Sequence, residues 1–205
     1  MSIELPIDID QIKGFLAEDE GEALFNFAQQ SAQLGPVLEV GSYCGKSTVY
    51  LGEACKGSPN VVYAVDHHRG SEEHQLGEEY HDPDLYDSSV ELMDSFKAFR
   101  STMRAAGLED TVVPIVASSA LASKGWNTPL GMVFIDGGHS EEAAQTDYRS
   151  WVSHIKPGGI LAIHDIFPNP ADGGQAPYNI WKLAKASGLF EELPMVNTLG
   201  LFRRK

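Results

Sequence analysis

Five short apolar runs separated by helical patterns leave this chain few ways to fold. They are Val37–Val40, Val61–Val65, Val112–Val116, Met132–Ile135 and Ile160–Ile163. Strands that are apolar almost without a break, with helices between them, indicate a parallel sheet covered on both faces. The segment from Leu189 to Lys205 reads as two more strands joined by a turn at Asn197, and so short a connection implies an antiparallel pair at the sheet edge. The expected class is therefore α/β, with seven strands in a mostly parallel sheet, an antiparallel edge hairpin and helices on both faces. With 205 residues the chain fits one domain with a sizeable core.

The helix signals are local. Residues 1–35 read as two short helices, with Leu24, Phe25, Ala28 and Ala32 at helical spacing. A helix is expected over Ser47–Cys55. Ser88-x-x-Glu91 has the form of a capping box, ahead of a helix with Leu92, Phe96, Phe99 and Met103 on one face and Gly107 at its end. Another helix starts at Ser140, buries Ala144, Tyr148, Trp151 and Ile155, and stops at Lys156-Pro157-Gly158-Gly159. Residues 67–86 do not fit the alternation. This polar stretch of four histidines follows a strand's C-terminal end, where open α/β sheets bind ligands, and reads either as a solvated insertion loop or as a lid or substrate-recognition insertion.

The net charge of −14 would repel phosphate backbones, and the basic residues cluster only at Arg203-Arg204-Lys205. Nucleic acid and anionic membranes are therefore not expected as partners. Cys44 and Cys55 have neither metal nor redox spacing and read as reduced thiols. The opening MSIELPIDID has no signal-peptide pattern, and no apolar run reaches the ~18 residues of a membrane span. A cytoplasmic protein is expected. The N-terminal helices offer a surface for a homodimer.

The loop VLEVGSYCGKST, residues 37–48, carries the functional question. Its tail Gly45-Lys46-Ser47 matches the end of a P-loop, but the first glycine stands at Gly41, one residue too late. A dinucleotide fingerprint fails because Tyr43 occupies a glycine position. Glu39 sits badly beside phosphate and well beside an ammonium or sulfonium group. Asp66, Asp136 and Asp165 also fall at strand ends, so four carboxylates are expected to converge on one crevice.

These motifs together resemble the class I S-adenosylmethionine-dependent methyltransferases. The likeness lies in Glu39-Val40-Gly41-Ser42-Tyr43-Cys44-Gly45, in Asp66, in Ala117-Ser118, in Val133-Phe134-Ile135-Asp136 and in Lys156-Pro157-Gly158-Gly159, and covers about residues 20 to 205. IDGGHSEE and AIHDIF are most similar to a subgroup of small-molecule O-methyltransferases that includes macrolide-sugar, cephalosporin-type and, more distantly, catechol and caffeoyl-CoA enzymes. The resemblance implies a Rossmann-like methyltransferase fold and a small-molecule methyl acceptor. It also implies S-adenosylmethionine bound by Glu39, Gly41, Ser42, Gly45, Ser47, Asp66, His67, Ser118 and Asp136.

The same resemblance implies a divalent cation on Asp136, His164 and Asp165. His164 departs from it, since the relatives usually carry an acid there. Magnesium favours oxygen ligands, whereas imidazole suits manganese, iron or zinc; His164 could equally be a neutral hydrogen-bonding residue. His139 stands where catechol-type relatives carry a lysine base, and histidine is suited to taking a hydroxyl proton at neutral pH. It could instead merely precede the helix and contact Asp136 or the cofactor. Three other readings stay open: a noncatalytic adenosyl-binding homologue, a P-loop NTPase and a nicotinamide-dependent oxidoreductase.

Overall fold

The computed structural model describes residues 3–71, 74, 75, 77 and 81–205. The strands are β1 (Val37–Val40), β2 (Val62–Val65), β3 (Tyr86–Asp87), β4 (Leu92–Met93), β5 (Val112–Ile115), β6 (Leu130–Ile135), β7 (Ile155–Ile163), β8 (Phe190–Val196) and β9 (Leu199–Arg204). The helices are α1 (Glu18–Ser31), α2 (Lys46–Cys55), α3 (Phe96–Ala105), α4 (Ser119–Ala122), α5 (Glu141–Trp151) and α6 (Ala176–Ala186). Seven strands form one sheet in the order β5-β2-β1-β6-β7-β9-β8. The first five in that order run parallel, and β9 is antiparallel to both β7 and β8.

Alternation along the strands explains the two-sided cover. On β6, Met132 and Phe134 join a cluster with Leu24, Leu51 and Phe99 from α1, α2 and α3. Val133 and Ile135 point the other way, to Tyr148, Trp151 and Ile180 from α5 and α6. Successive strand side chains face opposite sides, so a strand buried on both faces must be apolar at every position.

The structure departs from the sequence reading in four places. The N-terminal region holds one three-residue 3-10 turn, Ile9–Gln11, and one long helix, α1. The expected capping box at Ser88 and Glu91 lies in the β3–β4 hairpin, where Tyr86 pairs with Met93 and Asp87 with Leu92. Glu91 there has φ +54°, which no right-handed helix accommodates, and α3 begins only at Phe96, whose N–H donates to the Asp94 carboxylate. Ile155 belongs to β7 rather than to the preceding helix. The residues Lys156 to Gly159 lie in β7 as a bulge, since Leu130 faces Ile155 while Met132 faces Ile160.

Candidate functional site

The C-terminal ends of β1, β2, β6 and β7 open on one edge of the sheet, and the turn after β1 is shaped by its neighbours. Gly41 has φ +86°, and a Cβ there would stand 2.0 Å from the Asp136 carbonyl oxygen. No side chain fits, so the loop passes flush against the end of β6. Gly45, at φ +92°, then starts α2. Ser42 is 1% exposed and its Oγ has no hydrogen-bond partner among the described residues. An orphaned buried hydroxyl is costly unless a ligand completes it.

Glu39 does not reach the crevice as expected. It is 0% exposed, and the hydroxyls of Ser47 and Thr48 donate to its two oxygens, each at 2.5 Å. Burial pushes its carboxyl up to about 8, against the pull of those two bonds, and the negative fields of Asp136 and Asp66 add to the rise. Glu39 and Ser47 thus spend their polar groups on each other and pin α2 to β1.

Asp66 is half-buried just past the end of β2. Its Oδ2 accepts from the Tyr43 N–H at 2.8 Å and its Oδ1 from the His68 N–H at 2.7 Å. A carboxylate has about four acceptor positions, so both oxygens keep capacity for further donors. His67 is exposed, its Nδ1 accepting from the Arg69 N–H. Ser118 is exposed at the start of α4.

The β6 and β7 ends carry a denser set of charges. Asp165 has φ +58°, a backbone turn that swings its carboxylate towards the loop after β6. His139 Nε2 lies 3.0 Å from Asp165 Oδ2. His164 is 4% exposed; its Nδ1 lies 3.0 Å from Asp136 Oδ1 and 3.5 Å from Asp165 Oδ2, and its Nε2 lies 3.0 Å from Glu20 Oε2. With a carboxylate at each nitrogen the ring is held as an imidazolium. Burial works against that charge, but Asp136, Asp165 and Glu20 outweigh it and hold the pKa well above the ordinary histidine value. Burial likewise works to raise Asp165, and the two histidines reverse it, holding the carboxyl well below the usual range.

This geometry corrects the expected cation ligands. A metal-ligating histidine needs an unprotonated nitrogen, and both nitrogens of His164 face carboxylates. Among the described residues, ligand atoms of Asp136, His139 and Asp165 instead lie within 4.8 Å of one another. The sequence reading also missed Glu20, 2% exposed, which accepts from the Thr198 N–H at 2.9 Å and hydroxyl at 2.7 Å besides His164. One signal was available: Glu20 lies four residues before Leu24 and eight before Ala28, in line with the buried stripe of α1.

The insertion rests on the glycine loop. Glu72, Glu73, Leu76 and residues 78–80 lie outside the described residues. Beyond them, Leu85 and Met93 pack on Cys44, with Tyr43 and Ile12 against the same small cluster. Lys13 Nζ reaches Asp82 at 2.6 Å and Asp84 at 2.8 Å, tying the N-terminal arm to the insertion. Cys44 and Cys55 are buried and unpaired, their thiols pushed up to about 12 by burial, so neither is reactive. Among the described residues, no helix is long and apolar enough to cross a membrane.

Residues 38–166 match the family model described as a methyltransferase domain. The chain is also similar in structure to the O-methyltransferase TomG from Streptomyces achromogenes in complex with S-adenosylmethionine, at TM-score 0.65 and 14% identity, covering 93% of this chain and 82% of that one. The O-methyltransferase NovP superposes at TM-score 0.67 and 15% identity, covering 92% and 81%. An O-methyltransferase from Bacillus cereus in complex with S-adenosylhomocysteine does so at 0.61 and 16%, covering 93% and 83%. At those identities the likeness carries the fold, and the family model carries the family.

Proposed function

The chain belongs to the methyltransferase-domain family, as a methyltransferase dependent on S-adenosylmethionine, and from that premise we propose that it methylates a hydroxyl of a small molecule, with His139 as general base. The observation that carries the base is the His139–Asp165 contact at 3.0 Å, at the strand ends that line the crevice.

The residues fit the methyl donor. The side-chain-free turn at Gly41 admits a ligand close to backbone, the orphaned Ser42 hydroxyl offers a polar contact, and Asp66 retains acceptor capacity for ribose hydroxyls. When bound, S-adenosylmethionine supplies a methyl group already activated on a sulfonium. The protein's task is then to place the acceptor oxygen and remove its proton. His139 takes that proton, while Asp165 orients the ring and stabilises the imidazolium that forms. The cap made by the insertion and the N-terminal arm serves as the lid that shapes the acceptor space.

The cation expected on Asp136, His164 and Asp165 does not fit that set, because His164 is committed to carboxylates. A second reading follows from the convergence of Asp136, His139 and Asp165. A divalent cation held there would use His139 as a ligand, and another group would have to take the proton.

Calorimetry with S-adenosylmethionine, Mg-ATP and NADH tests the donor, with selective S-adenosylmethionine binding expected. Binding of a nucleotide triphosphate or dinucleotide in its place overturns the reading. An acceptor screen before and after dialysis against a chelator separates the two roles of His139. Unchanged turnover supports the base; turnover lost to the chelator and restored by manganese or zinc supports the ligand.

A further inference from the structure

The N-terminal arm carries Ile3, Leu5, Ile7 and Ile9 at every second position, with Glu4, Pro6 and Asp8 between them. An extended chain sends alternate side chains to opposite sides. Here the apolar set is half-buried and the intervening set exposed, so the arm turns one apolar edge onto the body of the protein. It does not close down on it. Between the arm and the helices α1 and α2 lies a groove of about 220 Å³, whose lining adds Asp8, Glu18, Glu22 and Tyr50 to the apolar side chains of the arm.

Tyr50 reaches the groove from α2 because α1 presents a glycine to it. A Cβ on Gly21 would stand 2.4 Å from Tyr50 Cζ, so the far end of the ring rests on bare helix backbone. Tyr50 is 3% exposed, yet its hydroxyl makes no hydrogen bond among the described residues. A buried hydroxyl without a partner is costly unless something in the groove supplies one. Burial and the negative fields of Glu18, Asp10 and Glu22 keep it protonated. Glu18 and Glu22 lie one turn apart on the same face of α1, with Gly21 between them. Glu22 also accepts from the Ile3 N–H at 3.4 Å, which ties the arm down at the groove's edge. Among the described residues neither glutamate nor Asp8 is paired with a cation.

We propose that this groove is a second ligand site, sharing no residue with the donor crevice, for a small organic ammonium ion with an apolar body. An ammonium group brings three N–H donors and a positive charge, which suit the Tyr50 oxygen and the two glutamates. The apolar edge of the arm covers the rest of such a ligand. A bare metal ion fits less well. Among the described residues these acids do not bring their ligand atoms within 4.8 Å of one another, as Asp136, His139 and Asp165 do. A cavity of about 150 Å³ holds benzene, so this one takes a ligand of about six to ten non-hydrogen atoms.

The test is an amide chemical-shift titration of the whole protein at low salt with hexylammonium, hexanol and hexanoate, which share one chain and differ in charge. Hexylammonium should move the amides of residues 3–9 and Gly21 with a Kd of about 1 mM or tighter, with or without S-adenosylhomocysteine. Hexanol and hexanoate should bind at least about tenfold more weakly. Glu18→Gln combined with Glu22→Gln should weaken hexylammonium by at least about tenfold. Tyr50→Phe, which keeps the ring on Gly21, should weaken it by about three- to tenfold. Equal affinity for the three probes, an unchanged Kd in the double variant, or no shift of these amides at about ten times the expected Kd overturns the site. Magnesium chloride should leave the same amides unmoved; magnesium shifts there that the double variant abolishes, with none from hexylammonium, overturn the organic assignment.

Discussion

Glu39 and Glu20 flank β6 and are almost equally removed from water, yet the protein treats them in opposite ways. Glu39 meets two hydroxyls, which bring no positive charge, and burial keeps its proton on up to a pH of about 8. For Glu20, burial also works upward, but the His164 ring, Thr198 and the Ala17 N–H outweigh it and hold the carboxyl below its usual range. Only hydroxyls face Glu39, whereas an imidazolium faces Glu20, and that difference in partners favours a neutral side chain on one wall of the crevice and an ionised one on the other. At Glu39 the glycine-loop wall is thus held by neutral hydrogen bonds that fix a shape. The β6–β7 wall is built from charges, and it is there that the proposed mechanism needs a proton to move.

The largest expected effect tests whether proton handling is confined to the charged wall. His139→Ala should lower kcat by roughly 100- to 10,000-fold, the range of a lost general base, with S-adenosylhomocysteine affinity within about threefold in calorimetry. A variant that loses donor affinity and keeps kcat would place His139 in the binding wall and dissolve the division.

The next effect comes from one substitution made at both glutamates. Glu20→Gln leaves the buried imidazolium short of a partner and should cost about 3 kcal/mol in urea denaturation. The pH sense follows from the two shifts. The raised His164 contributes fully below its unfolded value of ~6.5 and loses that contribution as pH rises towards its folded value. The lowered Glu20 contributes fully above ~4.5 and loses it as pH falls through its folded value. The pair is therefore worth most between about pH 4.5 and 6.5, where Glu20→Gln should hurt most. An equal loss on Glu20→Gln when His164 is already replaced by Gln would show that the charge on His164 is not what the glutamate answers.

Glu39→Gln should act with the opposite sign. A carboxyl raised to about 8 favours the fold below ~4.5 and gives up that contribution as pH climbs to about 8. Glutamine still offers an acceptor to Ser47 or Thr48 and has no charge to bury. The variant should match the wild type near pH 4.5 and exceed it by on the order of 1–2 kcal/mol near pH 8. Destabilisation at the higher pH would mean that Glu39 is ionised in the fold and that the two walls are alike after all.

The sequence made one wall more legible than the other for a physical reason. Glu39 interrupts the first apolar run one residue before its end, and Asp66, Asp136 and Asp165 each follow a run, so local pattern located them; His139 is three residues past Asp136. Those are short-range facts. The Glu20–His164 pair joins residues 144 apart, and Asp147 meets Ser119 across two helices; such partners exist only once the sheet brings α1 beside β7 and α4 beside α5. The β3–β4 hairpin was hidden by a different cause. Ser88 and Glu91 satisfy a helix-start pattern, but cross-strand pairing of Tyr86 with Met93 claimed the same residues.

The smallest effect concerns the cap over the neutral wall. Lys13 joins Asp82 and Asp84 at the surface, and exposed ion pairs contribute only ~0–1 kcal/mol. Lys13→Ala should therefore change global stability by less than about 1 kcal/mol, while limited proteolysis within residues 67–86 becomes faster. Raising the salt on the wild type should reproduce that change, because the pair is screened. Among the described residues the apolar side chains of the cap pack on Tyr43 and Cys44, so the pH profile of turnover should keep its midpoint in Lys13→Ala even if the acceptor KM rises. A shifted midpoint would show that the cap sets the electrostatics of His139, and the two walls would then have to be read as one coupled unit.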